Sequence, residues 1–353
     1  MWSDRRLLDL FGIEHPIVQA PMAGAQGAAL AVAVSKAGGL GSLPCALLMI
    51  EQARTEVQII RQQTDRPFNL NFFCHRPPAP DAAREAKWVE RLAPYRRELG
   101  VEQTSVPGGR APFGEEACRL IEEFRPRVVS FHFGLPEKRL FDRVKAAGAV
   151  VIASATTVAE ARWLEERGVD AVIAQGAEAG GHRGVFLSDD VASQPGTFAL
   201  VPQVADAIHV PVIAAGGIGD ARGIVAVLAL GASGAQIGTA YLLTLESTIS
   251  SLYRAALKAA GEDETALTNV FTGRPARGII NRAIRELGPL SAEAPAFPNA
   301  ANAMLPLRQK AEAAGSADFT PLWSGQAPRF AREMPAGELT RLMAEEALRL
   351  LRR

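Results

Sequence analysis

The feature that most narrows the possible folds of this chain is a repeated pattern rather than a repeated set of residues. Eight short runs of apolar and small residues are separated by longer amphipathic stretches. They are Pro16–Ala20, Gly39–Ser42, Phe68–Phe73, Val128–Phe131, Val150–Ala153, Ala171–Ala174, Val212–Ala215 and Ala235–Gly238. Most are continuously apolar, as in parallel strands buried on both faces. The stretches between them read as helices. Those over 137–147, 157–167 and 220–230 are each followed by a glycine (148, 168 and 231), and Thr157 with Glu160 has the spacing of a helix N-cap. Runs centred on residues 129, 152 and 173 lie about one strand–helix unit apart. Eight such units predict a (β/α)8 TIM barrel of the α/β class. An open doubly wound sheet is built from the same units.

A barrel of this kind takes about 250 residues, and the chain has 353. The surplus falls in two places. Residues 76–113 interrupt the pattern with prolines around a helical DAAREAKWVERL segment. After the eighth run the chain continues through a helix near 247–260 and a loop-rich region to an amphipathic helix over 338–353. The expected division is a barrel over 1–75 and 114–245, an insertion over 76–113, a smaller α/β cap over 246–335, and a terminal helix over 336–353 packing on the barrel.

Thirty-eight basic residues balance 38 acidic ones, which argues against a nucleic-acid partner. A hydrophobic content of 48% with 22% charge excludes extensive disorder. Cys45, Cys74 and Cys118 have no CxxC spacing and fit a reducing compartment. No apolar segment follows the charged N-terminal residues, as a signal peptide would require. The uncharged stretch 224–245 contains Gly231, Ser233, Gly234 and Gln236, and reads as helix, turn and strand rather than a membrane span. A cytoplasmic protein without a membrane partner is expected.

In a barrel, chemistry gathers at the C-terminal ends of the strands. There the first run continues into Ala20-Pro21-Met22-Ala23, the third carries Asn71 and the fourth leads to His132. The sixth leads into Gln175 and a loop with Gly180, Gly181 and His182, the seventh into Gly216-Gly217, and the eighth into Gln236-Ile237-Gly238-Thr239. The last two glycine-rich turns, with backbone N–H groups at the helix starting from Asp220, have the form of a barrel's phosphate cradle. Tight turns favour glycine for their own reasons, which is the plainer reading. A dinucleotide fingerprint fits less well, since the next glycine comes only at 223. Of the five histidines, His15 and His209 lie at the inert end of the barrel, and His75, beside prolines, is ambiguous. His132 and His182 fall on the active face. A loop histidine is commonly a surface polar group, but one set in Gly-Gly-His-Arg-Gly beside a phosphate site suits acid–base or anion-binding work. No histidine pair with ligand spacing, GxSxG elbow or HExxH motif is present.

The set QAPMAG (19–24), GGLGSLPCA (38–46), NLNFF (69–73), QGAEAGGHRG (175–184), AAGGIGD (214–220) and QIGTAYL (236–242) resembles the nitronate monooxygenase family, formerly 2-nitropropane dioxygenases. TGRPARGI (272–279) and DFTPLWSGQ (318–326) extend the likeness to the class I, bacterial-type branch. The resemblance implies an FMN-binding barrel. Met22 and the neighbouring Ala20, Pro21 and Ala23 would lie against the isoalloxazine, and Asn71 and Gln175 would bond its polar edge. Gly180 and Gly181 would approach the ring or ribityl chain. Gly217 and the run from Gln236 to Thr239 would hold the phosphate, in agreement with the cradle that also includes Gly216. His182 matches the active-site histidine and His132 the second histidine facing substrate, while Phe297 stands where a pocket tyrosine is expected. The implied activity is oxidation of alkyl nitronates, such as propionate 3-nitronate, with O2 to a carbonyl compound and nitrite, in a monomer or homodimer. The loop of the sixth strand is shared with FMN- and NADH-dependent enoyl-acyl-carrier-protein reductases, which form the alternative. A non-catalytic flavin-binding scaffold is the second alternative. Whether His182 acts as base or as anion-binding group, and whether neutral nitroalkanes react, stays open at this level.

Overall fold

The computed structural model describes residues 2–105 and 111–352. Residues 106–110, within the expected insertion, lie outside the described residues. The strands are β1 (Ile17–Gln19), β2 (Gly41–Pro44), β3 (Phe68–Phe73), β4 (Val128–His132), β5 (Val150–Ala155), β6 (Ala171–Gln175), the two-residue β7 (Gly181–His182), β8 (Val212–Ala215), β9 (Gly234–Ile237), β10 (Thr265–Thr268) and β11 (Ala276–Ile279). The helices are α1 (Arg6–Phe11), α2 (Ala28–Lys36), α3 (Ile50–Gln63), α4 (Ala82–Arg91), α5 (Ala93–Leu99), α6 (Glu115–Phe124), α7 (Lys138–Ala146), α8 (Val158–Glu165), α9 (Thr197–Ala207), α10 (Ala221–Ala229), α11 (Ser251–Ala259), α12 (Arg282–Leu287), α13 (Ala300–Ala313) and α14 (Ala336–Leu350).

All eight anticipated runs form parallel strands, in the order β1-β9-β8-β6-β5-β4-β3-β2. The ring closes through a parallel bridge between Val18 and Leu40. There Gln19 N donates to Leu40 O and Leu40 N to Ile17 O, each at 2.9 Å. The protein is therefore a (β/α)8 barrel, and the open doubly wound alternative is excluded by the closure. Strand β3 shows how the sequence sorts its faces. Phe68, Leu70 and Phe72 join the main hydrophobic core, while the alternate Asn69 and Asn71 share the buried hydroxyl of Ser130, each at 2.9 Å.

Helices α2, α3, α6, α7, α8, α9 and α10 follow successive barrel strands. The eighth position is filled by α14, which packs against α2 and α10 and is tied by the Tyr241 Oη to Thr340 Oγ1 bond at 2.8 Å. Everything between β9 and α14 is thus carried as an excursion from the last strand–helix unit. Part of that excursion joins the earlier insertion in a second core, in which Trp88, Leu92 and Tyr95 pack with Ala300, Met304, Leu307 and Phe319. The indole of Trp88 donates to Ala300 O at 3.3 Å. A three-stranded antiparallel sheet, β10-β11-β7, connects this layer to the barrel loop after β6. Among the described residues no helix is long and apolar enough to cross a membrane.

Gly41 tests how closely α2 lies on the barrel. A Cβ there would stand 2.0 Å from the carbonyl oxygen of Ala31. Gly41→Ala is expected to destabilise the protein by about 2 kcal/mol or more, measured as a lower urea midpoint. An unchanged midpoint would mean that helix and strand separate freely.

Candidate active site

A cavity of about 400 Å³ opens at the C-terminal ends of the strands. Of the residues expected there, Ala20, Pro21, Met22, Ala23, Asn71, His132, Gln175, Gly180, Gly181, His182, Gly216, Gly217, Gln236, Gly238 and Thr239 line it. Ile237 does not. Its side chain is fully buried in the main core.

The loop after β6 is organised by Arg183, whose side chain is wholly buried. Its guanidinium donates to the carbonyls of Gly176 at 3.0 Å, Ala177 at 3.4 Å, Gly180 at 3.3 Å and Gly181 at 3.0 Å, and also to Ala179. Burial pulls its pKa down to about 9, with the nearby Arg277 charge adding to the effect, so it stays ionised at neutral pH. Gln175 pins the far side of the loop. Its Oε1 accepts from Gly184 N at 2.7 Å and its Nε2 donates to His182 O at 3.1 Å. Close approach requires a glycine at 180 and leaves little space for a side chain at 184. A Cβ on Gly180 would meet Gly325 N at 2.6 Å, and one on Gly184 would meet His132 Cε1 at 3.0 Å.

His182 is held by its main chain and by its ring. Its backbone pairs with Ala276 on β11, and its Nε2 lies 2.9 Å from Thr272 Oγ1. The rings of Phe297 and Trp323 stand 5.3 and 5.4 Å from the imidazole. His132, at the end of β4, has Nδ1 2.9 Å from Ser154 Oγ and Nε2 3.2 Å from His182 O. Burial, with the charges of Arg274 and Arg183, lowers its pKa to about 3. Beyond the histidines, Arg308 is the one charged side chain on the cavity wall among the described residues. Burial also pushes the thiols of Cys45, to about 12, and Cys74 upward, so neither offers a thiolate.

The opposite end of the cavity has the character of an anion cradle, but not through the helix expected. The carboxylate of Asp220 caps α10 itself, accepting from Arg222 N at 3.0 Å and Gly223 N at 3.2 Å, so those donors are occupied. Glu178 likewise takes the first N–H of α9, at Thr197. In the turns after β8 and β9, the backbone N–H groups of Gly217, Gly238 and Thr239 are among those with no hydrogen-bond acceptor among the described residues. Thr239 Oγ1 accepts from Gly325 N at 2.9 Å, which leaves its own proton to donate outward. Gln236 Oε1 is buried at the same end without a partner. Nearby, Met22 N donates to Gln26 Oε1 at 3.1 Å, within a buried Gln19–Gln26 pair that fixes the turn after β1.

Arg183, Thr272, Ser154, Trp323 and Arg308 escaped the sequence reading. Thr272, Trp323 and Arg308 lie far from the loop in sequence, and only the family-like segments TGRP and DFTPLWSGQ marked the regions of the first two. Among the described residues no group of His, Cys, Asp and Glu could hold a metal ion.

A family model for nitronate monooxygenase matches residues 4–346. A nitronate monooxygenase of Pseudomonas aeruginosa is 45% identical over 345 residues, covering 97% of this chain and 98% of the relative. One of Paraburkholderia phytofirmans is 44% identical over 348 residues, covering 97% and 94%. Among solved structures, nitroalkane oxidase from Streptomyces ansochromogenes matches with a TM-score of 0.90 and 40% identity, over 98% of this chain and 99% of its own. FabK from Thermotoga maritima matches with a TM-score of 0.77 and 28% identity, over 100% and 98%. Fold and site together define a (β/α)8-barrel oxidoreductase. The chain belongs to the nitronate monooxygenase family, whose members are flavin-dependent.

Arg183→Met would strip several buried carbonyls of their donor at once. It is expected to cost at least about 2 kcal/mol of stability, with Arg183→Lys between it and the wild type. Urea unfolding measures both, and equal midpoints for all three proteins would show that the loop does not depend on the guanidinium.

Proposed function

We propose that the protein uses FMN and O2 to oxidise alkyl nitronates, such as propionate 3-nitronate, to a carbonyl compound and nitrite. The observation that carries this reading is one cavity with open N–H donors at one end and a braced histidine at the other. The donors fit a single phosphate, which favours FMN over a dinucleotide. Gly217, Gly238 and Thr239 would hold that phosphate. Met22, with the backbone of Ala20, Pro21 and Ala23, would support the ring system, and Asn71 and the remaining Nε2 proton of Gln175 would meet its polar edge. Bound there, FMN supplies the electron transfer between nitronate and oxygen.

The chain's own residues bind and orient the substrate. Arg308 suits an anion entering the cavity, and Phe297 and Trp323 keep the space around His182 apolar, which strengthens charge interactions inside it. Protonated, His182 attracts a nitronate; neutral, it can take a proton from a nitroalkane. Residues 76–113 and 246–335 act in this reading as a cap over the barrel mouth. The likeness to FabK keeps a nicotinamide-dependent reductase as the rival, and rapid bleaching of the flavin by NADH but not by nitronates would favour it.

Heat-released pigment should be FMN by mass spectrometry. Gly238→Ala should fold yet retain less of it, because the new Cβ would sit 3.4 Å from Ala20 Cβ in the cradle, where the backbone tolerates it. Recovery of FAD, or full FMN occupancy in the variant, contradicts the cradle. His182→Asn should bind FMN normally and lose about 10²–10⁴-fold in turnover of neutral nitroalkanes if the ring is a base. A loss confined to apparent affinity for nitronates, blunted by salt, identifies an anion-binding role. Wild-type rates of nitrite release on both substrates would remove His182 from the mechanism.

A further inference from the structure

We infer that His132 is a positioning residue that holds the main-chain carbonyl of His182 through its Nε2–H and carries no proton in the reaction. The inference rests on the reading of His182 as the group that meets substrate. Both ring nitrogens of His132 are already engaged. A carbonyl oxygen can only accept, so the contact between His132 Nε2 and His182 O at 3.2 Å requires the proton on Nε2. In a neutral ring Nδ1 is then an acceptor, and the hydroxyl of Ser154 at 2.9 Å is placed to donate to it.

The surroundings oppose a second proton. The charged groups acting on the ring are Arg274 and Arg183, both cationic, and burial works in the same direction. Arg274 lies with its guanidinium 4.1 Å from the Phe133 ring centroid, and Phe133 in turn stands 4.3 Å from the His132 ring. Phe73 lies at 5.7 Å. Gly184 lies beside the ring, where a Cβ would stand 3.0 Å from Cε1, so the absence of a side chain there keeps the place of the ring open. What the ring does hold is definite. The carbonyl it grips belongs to His182, and Gln175 Nε2 grips the same oxygen at 3.1 Å. Two donors on one carbonyl set the position of His182 from the barrel side, while β11 and Thr272 set it from the cap side.

Glutamine separates the two roles, because its Nε2 occupies about the place of the histidine Nε2 but cannot exchange a proton near neutral pH. The flavin-loaded His132→Gln and His132→Leu variants are compared with wild type by kcat and kcat/KM against pH, and the imidazole state of His132 in the wild type is read by ¹⁵N–¹H NMR. Three results are expected. His132→Gln keeps kcat within about tenfold of wild type with both limbs of the pH profile in place, whereas His132→Leu loses about 100-fold or more. In the wild type His132 shows the neutral Nε2–H pattern from pH 5 to 9. The inference is overturned if His132→Gln is as poor as His132→Leu, if it loses a limb of the pH profile, or if His132 titrates in that range. The NMR measurement needs no substrate. Absence of nitronate turnover would therefore defeat the proposed function while His132 was still read, and turnover with a titrating His132 would defeat this inference alone.

Discussion

The geometry of the site depends on one buried cation surrounded by the oxygens of its own loop. A chain segment that folds back over ten residues with its carbonyls turned inward would face a large desolvation penalty. In the loop after β6 that penalty is met by the guanidinium of Arg183, whose planar fork offers donors in several directions at once. The neighbouring His182 can then project toward the cavity from a backbone with no freedom to relax. Glu178, in the middle of the same loop, reaches away to cap α9, so the segment is fastened both to its own centre and to the helix that follows.

The barrel and the outer layer make different contributions. Barrel turns after β1, β8 and β9 bring small residues and bare N–H groups to one end of the cavity, which is the work of backbone geometry. The other end is made of side chains from the excursion between β9 and α14: Thr272, Phe297 and Trp323 around His182, with Arg308 on the cavity wall. The short β7 strand crosses this division, since its residues follow a barrel strand yet pair with β11. The two parts of the cavity wall can therefore vary separately on one fold.

The barrel was legible in the sequence because its signal is local. Continuous apolar runs of strand length leave few alternatives when they recur eight times. The glycine-rich turns likewise marked most of the cavity wall. Less visible was whatever depended on partners distant along the chain. Asp220 looked like the start of an open helix end, but its own carboxylate fills that end, a choice of rotamer that composition cannot express. Arg183 read as an ordinary neighbour of a histidine, because nothing in a sequence says that five carbonyls will converge on it. The terminal amphipathic helix was seen as packing. That it is the eighth helix of the barrel depends on which two helices leave a gap, a property of the assembled ring.

That position of α14 has a kinetic side. Barrel closure brings β1 beside β9, but the helix that covers the seam is separated from β9 by the whole excursion between Ile237 and Ala336. Contacts of such long separation form only after a costly loop closure, and they are slow to form relative to the local strand–helix pairs. The excursion is meanwhile a tethered loop whose two ends are the last strand and the last helix. Its segment at Gly325 also bonds Thr239 at the cavity, so the seam and this part of the cavity wall both wait on contacts distant along the chain. A chain caught before those contacts form would have most of its secondary structure and an unfinished cavity.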